Sequence, residues 1–242
     1  MGSRSLSLRP LLRAPVAALA LGFALVAPAR GADFDAERLR NAAPDLSPSV
    51  LGLALDAVSC AQESGHGREA SRIAVIDYSL PSLEPRLWVF DLDSGELLFR
   101  DHVAHGRGTG ENDATSFSNR PGSHQSSLGL FLTDETYVGQ NGYSLRMDGL
   151  EAGVNDLARE RAIVMHGARY VNPAGQRKQG RLGRSWGCPA VRVDVARPII
   201  DALAEGQFVF AYYPDRDWLA TSRFLSCEER VARPHRAERP NG

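Results

Sequence analysis

Two residue types in this chain have the makings of covalent catalysis, a cysteine and a histidine. Cys188 stands in Gly183-Arg184-Ser185-Trp186-Gly187-Cys188-Pro189, between a strand-and-loop stretch and a predicted helix. Glycine before a cysteine lets the backbone approach a substrate closely, and amides at such a turn, here near Gly187 and Cys188, can point at a developing oxyanion. A nucleophilic thiol also needs a base. Of the six histidines, His166 is the best placed, at the end of an apolar run and followed by Gly167. An imidazole within hydrogen-bond reach would make Cys188 a thiolate at neutral pH. Taken singly, each residue reads more readily as a buried structural cysteine or a satisfied core histidine.

Other chemistries are excluded by what is missing. Lys178 is the single lysine and Gly175 lies three residues before it, so no Ser-x-x-Lys motif exists. The sequence holds no His-Glu-x-x-His. His102-x-x-His105, with His124 and His166, has a spacing that fits no common zinc pattern, and neither a metal nor a cofactor is expected. Gly106, Gly108 and Gly110 match neither a P-loop nor a dinucleotide fingerprint. With 28 basic against 29 acidic residues there is no positive field of the kind that binds nucleic acid.

The elements that must position these residues start after an address segment. Residues 1–29 hold Arg4, Arg9 and Arg13, no acid, and an apolar run of 14 residues from Ala14 to Ala27 that is too short to span a bilayer comfortably. Ala27-Pro28-Ala29 supplies the small residues of a cleavage site, so 1–29 is expected to be a secretory signal peptide. Its removal takes the formal charge from −1 to about −4 and leaves no stable membrane anchor. A helical segment is expected over 30–70, with a short helix over Asp33 to Asn41 and a second entered through Ser47-Pro48 and ended by Gly65-His66-Gly67. A β-rich domain follows over 71–227. Strands are predicted at Arg72–Tyr78, Arg86–Leu92, Glu96–Val103, Leu128–Thr133, Tyr143–Met147, Ala162–Met165 and Gln207–Tyr213. Helices are predicted at Glu151–Glu160 and at Val195–Glu205, the latter capped by Asp194. His105–Ser123 forms a long loop over a site or surface, and the charged tail over 228–242 is expected to be disordered.

His166-Gly167 followed by Ser185-Trp186-Gly187-Cys188-Pro189-Ala190 resembles the active-site signature of the murein L,D-transpeptidases, in the branch with a Gly-Arg-Ser-x-Gly-Cys-Pro-Ala stretch. Phe117-Ser118-Asn119, Ser126-Ser127-Leu128-Gly129, Gly142-Tyr143-Ser144-Leu145 and Asp148-Gly149-Leu150 with Gly153-Val154-Asn155 resemble that branch too, so the likeness covers Ile73 to Tyr213. The resemblance implies a mainly β fold with accessory helices, an L,D-transpeptidase-like β-sandwich behind the N-terminal helical segment. It implies Cys188 as nucleophile, His166 as base, a periplasmic location, and peptidoglycan stem peptides as partner. The carbonyl of the third, diamino-acid residue of a stem is attacked, D-alanine leaves, and an amine of another stem takes the acyl group. A backbone carbonyl near Gly167 would orient the histidine.

The sequence departs from the wider family at Trp186 and Ala190, where histidine and an arginine or asparagine are usual. The anchor for a substrate carboxylate then falls to Arg184 or Arg192, with solvated surface arginines as the equal alternative. Arg169, Arg177, Lys178, Arg181 and Arg184 make a basic loop without an acid, suited to a carboxylate-rich peptide. Tyr143 and Ser144 in the donor pocket, and Ser185, Ser118-Asn119 and Ser126-Ser127 as hydrogen-bonding groups, complete the expected substrate contacts, against turn chemistry or packing as the alternative. With Cys188 free, Cys60 and Cys227 remain as an even pair for a disulfide. Rival readings are a carboxypeptidase, an endopeptidase or an enzyme of wall-anchored lipoprotein using the same thioester, a silent wall-binding domain, and a metallohydrolase.

Overall fold

Apolar runs with β-branched and aromatic residues form the centre of the molecule: Arg72–Asp77 (β1) and Phe208–Tyr212 (β9) are buried along nearly their whole length and pair in parallel. In this computed structural model, which describes Gly2 and residues 34–227, the remaining strands are Leu87–Asp91 (β2), Glu96–Asp101 (β3), Val103–Ala104 (β4), Gly129–Gly139 (β5), Gly142–Gly149 (β6), Val164–Gly167 (β7) and Ala190–Val191 (β8). All nine join one hydrogen-bonded sheet in the order β3-β2-β1-β9-β5-β6-β7-β8-β4. The expected mainly β fold with accessory helices is thus the fold observed. The expected signal peptide over 1–29 and the tail over 228–242 lie outside the described residues.

The helices are Ala36–Ala42 (α1), Pro48–Glu63 (α2), Pro173–Gln176 (α3), Val193–Leu203 (α4) and Arg216–Thr221 (α5). Pro48 opens α2 at a position where its missing N–H is not needed. Val50, Leu51, Ala54, Leu55 and Val58 then recur at helical spacing and pack into the same core as β1 and β9. The N-terminal helices therefore share the domain's core. Helix α4 begins at Val193 with Arg192 at its N-cap, so Asp194 lies in the first turn and the capping role expected of it is not observed. Asp194 instead accepts from Arg192 Nη1 at 2.7 Å.

The predicted helix over 151–160 is a succession of turns. Two of its polar side chains, Glu151 and Asn155, are buried and bond the backbone at the start of strand β5. Asn155 donates to the carbonyls of Leu128 (2.9 Å) and Leu130 (3.0 Å) and accepts from the Glu151 amide, while Glu151 accepts from Leu130 N and Trp218 Nε1. Side chains that bond distant backbone in this way compete with a regular helix. The segment ends at Arg161 and Ala162, and β7 follows.

Cys60 on α2 is bonded to Cys227, with Cα atoms 5.6 Å apart and a separation of 167 positions in sequence. Closing so long a loop restricts the unfolded chain, which in the chain-entropy description contributes about 5 kcal/mol. Urea unfolding with and without reductant checks this. Reduction is expected to lower the stability by about 2–5 kcal/mol, and superimposable curves would refute that contribution.

Candidate functional site

Strands β7 and β8 bring together the segments that carry the two candidate residues. They pair in parallel with His166 opposite Ala190, and Cys188 lies in the turn two positions before Ala190, its sulfur beside the Ala162 carbonyl and the Val164 amide of the segment that leads into His166. Gly167 faces the other way, toward α4, where an added Cβ would lie 2.8 Å from the Ala196 side chain.

The imidazole has a defined tautomer. His166 Nδ1 lies 3.1 Å from the Gly167 carbonyl, which can only accept, so Nδ1 carries the proton and Nε2 is the basic nitrogen. The backbone carbonyl expected to orient the base is therefore that of Gly167 itself. Burial pushes the His166 pKa below its ordinary value, and the Gly167 hydrogen bond opposes this. The base is neutral at pH 7.

The thiol is also uncharged at rest. Cys188 is 8% exposed and its Sγ is directed at the Ala162 carbonyl, 3.6 Å away, rather than at His166. Burial pushes its pKa up, while the Val164 amide and the charge of Arg161 pull it down. The expected thiolate is thereby corrected: desolvation outweighs the favourable groups around the sulfur, and the resting pair is thiol and imidazole.

Arg161, which sequence reasoning did not single out, places its charge beside Cys188. Its Nη1 donates to the Ser118 carbonyl (2.7 Å) and Ser127 Oγ (2.6 Å), and its Nη2 donates to the Gln125 carbonyl (2.5 Å) and Ser123 Oγ (3.3 Å). Every one of these acceptors is a neutral oxygen. The half-buried cation beside Cys188 thus has no carboxylate partner among the described residues, and a thiolate is the anion it is placed to meet.

The turn that carries Cys188 is closed from within and from outside. Ser185 Oγ donates to the Cys188 carbonyl (2.7 Å) and accepts from the Gly187 amide (3.0 Å). The Gly187 N–H named for the oxyanion is therefore occupied, and the Cys188 amide lies against its own sulfur. Ser185 is buried with both of its bonds spent on the turn, which corrects its expected substrate contact. Gly187 has φ +126°, and a Cβ there would meet the Gln125 carbonyl at 2.8 Å, so only glycine fits. From outside, Ser126 Oγ donates to the Gly187 carbonyl and accepts from the Gly106 amide, both at 3.0 Å. Gly106 also bridges to Ser185, and an added Cβ on Gly106 would lie 2.3 Å from the His124 carbonyl. The two glycine-rich loops are zipped together, with Ser126 as the knot.

The other expected contacts have other partners. Tyr143 adjoins Ser144, which pairs with His166, so its side chain projects to the opposite face, where it bonds Asp201 and stacks under Arg197. Arg192 holds buried Asp101 through Nε (2.8 Å) and Nη2 (2.7 Å). It lines a groove of about 760 Å³ with Asp101, Ala168 and Arg169, at the ends of β7 and β8 away from Cys188. Arg184 bonds the Gly110 carbonyl and Glu111, and Arg181 also pairs with Glu111, so the basic loop borrows its acid from the facing loop. Ser127 donates to the Ser118 carbonyl, and Asn119 bonds Asp156.

His102, His105 and His124 have protein partners as well. His102 is held by the Leu83 carbonyl (3.0 Å), His124 by Arg107, and His105 by Arg86 (2.7 Å) and the Gly110 carbonyl (3.3 Å). Burial and the neighbouring Arg86 charge lower His105 to about 4. Among the described residues no cluster of three or more His, Cys, Asp or Glu could hold a metal ion.

These electrostatics are testable by alkylation of Cys188, the free thiol among the described cysteines. The iodoacetamide rate is expected to keep rising with pH beyond the ordinary thiol range near 8.5. Arg161→Gln is expected to slow labelling at pH 8 by about three- to tenfold, since loss of the cation pushes the thiol pKa further up. A plateau reached below pH 7 would contradict a neutral resting pair.

A family model for the L,D-transpeptidase catalytic domain matches residues 42–212. Among solved structures, the fold is similar to an L,D-transpeptidase from Mycobacterium smegmatis (14% identity, 60% of this chain and 59% of that one, TM-score 0.38). It is also similar to L,D-transpeptidase 1 of Mycobacterium tuberculosis (15%, 58% and 61%, TM-score 0.33) and to an L,D-transpeptidase from Stackebrandtia nassauensis (13%, 73% and 75%, TM-score 0.35). The chain thus spans about six-tenths of the length of the two mycobacterial chains. No curated protein sequence matches it significantly.

Proposed function

The chain belongs to the L,D-transpeptidase catalytic domain family, and from that membership we propose that it crosslinks peptidoglycan through a thioester on Cys188. The observation that supports this reading is the pairing of β7 with β8, which sets the Nδ1-protonated His166 opposite Ala190, two positions after Cys188. The thiol turns from the Ala162 carbonyl to His166 Nε2 and gives up its proton as sulfur attacks the carbonyl of the diamino-acid residue of a stem tetrapeptide. The Cys188 amide stabilises the oxyanion, and Arg161 offsets negative charge on the sulfur. The C–N bond breaks, His166 returns the proton to the departing D-alanine amine, and the acyl group remains on sulfur. An amine of a second stem then attacks the thioester, its proton passing through His166 to the sulfur that leaves.

A neutral pair at rest suits this order of events, because the proton moves only when a substrate is present to use the thiolate. We also infer an extracytoplasmic location, in the periplasm. The Cys60–Cys227 disulfide supports it, since such bonds persist in oxidising compartments.

Incubation with disaccharide tetrapeptide and mass spectrometry of the products test the proposal. Crosslinked dimer is expected from the native chain, with a loss of more than about 10³-fold in Cys188→Ala and about 10²–10⁴-fold in His166→Gln. Tripeptide as the sole product would assign a carboxypeptidase instead. Turnover that survives in Cys188→Ala would overturn the mechanism.

A further inference from the structure

Trp186 lies two residues before Cys188 and is 69% exposed, unlike the other two tryptophans, Trp88 at 0% and Trp218 at 4%. A large indole in water beside a reactive thiol calls for a partner. The ring is also held in place. The His124 imidazole lies against it with centroids 5.1 Å apart and planes at 32°, and the Arg107 guanidinium sits 5.5 Å from its centroid. Arg107 is fixed in turn, donating to His124 Nδ1 through Nε (3.2 Å) and Nη2 (2.9 Å). Because imidazole and guanidinium are bonded side by side, they cover one face of the indole. The exposure belongs to the other.

We propose that the open face of Trp186, with Arg107 at its edge, is a shelf for a pyranose ring of the glycan that carries the stem peptide. A pyranose presents a flat face of C–H groups that packs on an aromatic ring, and a preformed aromatic surface binds with little ordering cost. The spacing agrees. In the proposed reaction two residues separate the attacked diamino acid from the sugar, about 7 Å of extended chain plus a short linking arm. In this chain Trp186 is two positions from Cys188, with Gly187 alone between them, a Cα separation of at most about 7 Å, and the indole extends the reach by its own length. Arg107 has no carboxylate partner among the described residues and adds a donor for the polar rim of the sugar. The sugar is the unreacted part of the peptidoglycan donor, so the shelf presupposes that reading of Cys188.

Two measurements separate the shelf from the reaction. The first titrates the full chain with the glycan disaccharide lacking any peptide and follows intrinsic fluorescence, where Trp186 is the solvent-exposed emitter. A saturable blue shift is expected. The second compares kcat/KM for disaccharide tetrapeptide with that for free tetrapeptide. Trp186→Ala is expected to lower this ratio about tenfold, the loss of a stacked ring, with Trp186→Tyr retaining most of it. An unshifted emission with disaccharide at about 10 mM overturns the shelf, as does an unchanged ratio or an equal shift with free tetrapeptide. If neither donor is turned over by the native chain while the disaccharide shifts the emission, the shelf stands and the proposed reaction falls. Turnover without any shift leaves the reaction standing and removes the shelf.

Discussion

The parallel pairing of two very short strands, β7 and β8, is the constraint on which the rest of the site depends. It fixes His166 opposite Ala190, two positions after Cys188, and turns Gly167 to the other side. A slip of one residue in β7 would send the imidazole to the α4 side of the sheet. Two ladder pairs alone cannot guarantee that register. It is held by what lies on either side: β6 pairs with β7, β4 pairs with β8, and α4 packs where Gly167 leaves room for Ala196.

Beyond the strands, the site is held by a polar framework with few spare bonds. Ser126 ties Gly106 to Gly187, Ser185 closes the Cys188 turn, and Arg161 gathers oxygens of Ser118, Ser123, Gln125 and Ser127. Deeper still, fully buried Arg86 bonds the Val103 and Leu80 carbonyls and His105, with its guanidinium over the Tyr78 ring. Burial lowers Arg86 to about 10 and raises Tyr78 to about 12, yet at neutral pH both keep their ordinary charge states. Satisfied networks of this kind specify one loop arrangement, because breaking any member leaves a buried polar group without a partner. A nucleophile carried on loops gains from them the rigidity that helices and strands provide elsewhere.

That framework also sets the electrostatic character of the pair. Burying a thiol and an imidazole together favours their neutral forms, so the two do not rest as an ion pair. The unneutralised Arg161 keeps the anionic sulfur within reach, as a fixed charge already in position before substrate arrives.

The sequence by itself marked the candidate reactive residues and most of the elements. Cys188 and His166 stood out by type and by their glycine neighbours, and apolar periodicity located β1, β2, β9 and α2 because burial imposes a period on the residues that face the core. The choice among polar side chains was decided only by the tertiary structure. Glu151 and Asn155 read as part of a helix, but the backbone they bond belongs to β5 and the residue before it, more than twenty positions away. Arg192 and Arg184 read as substrate anchors, but Asp101 and Glu111 occupy them. Arg161 carried no local mark because its setting is assembled from the Ser118–Ser127 loop and the Cys188 turn. The thiol's charge state follows the same rule. It depends on how much water the fold removes from the sulfur and on which charges it leaves nearby, and neither is a property of the local sequence.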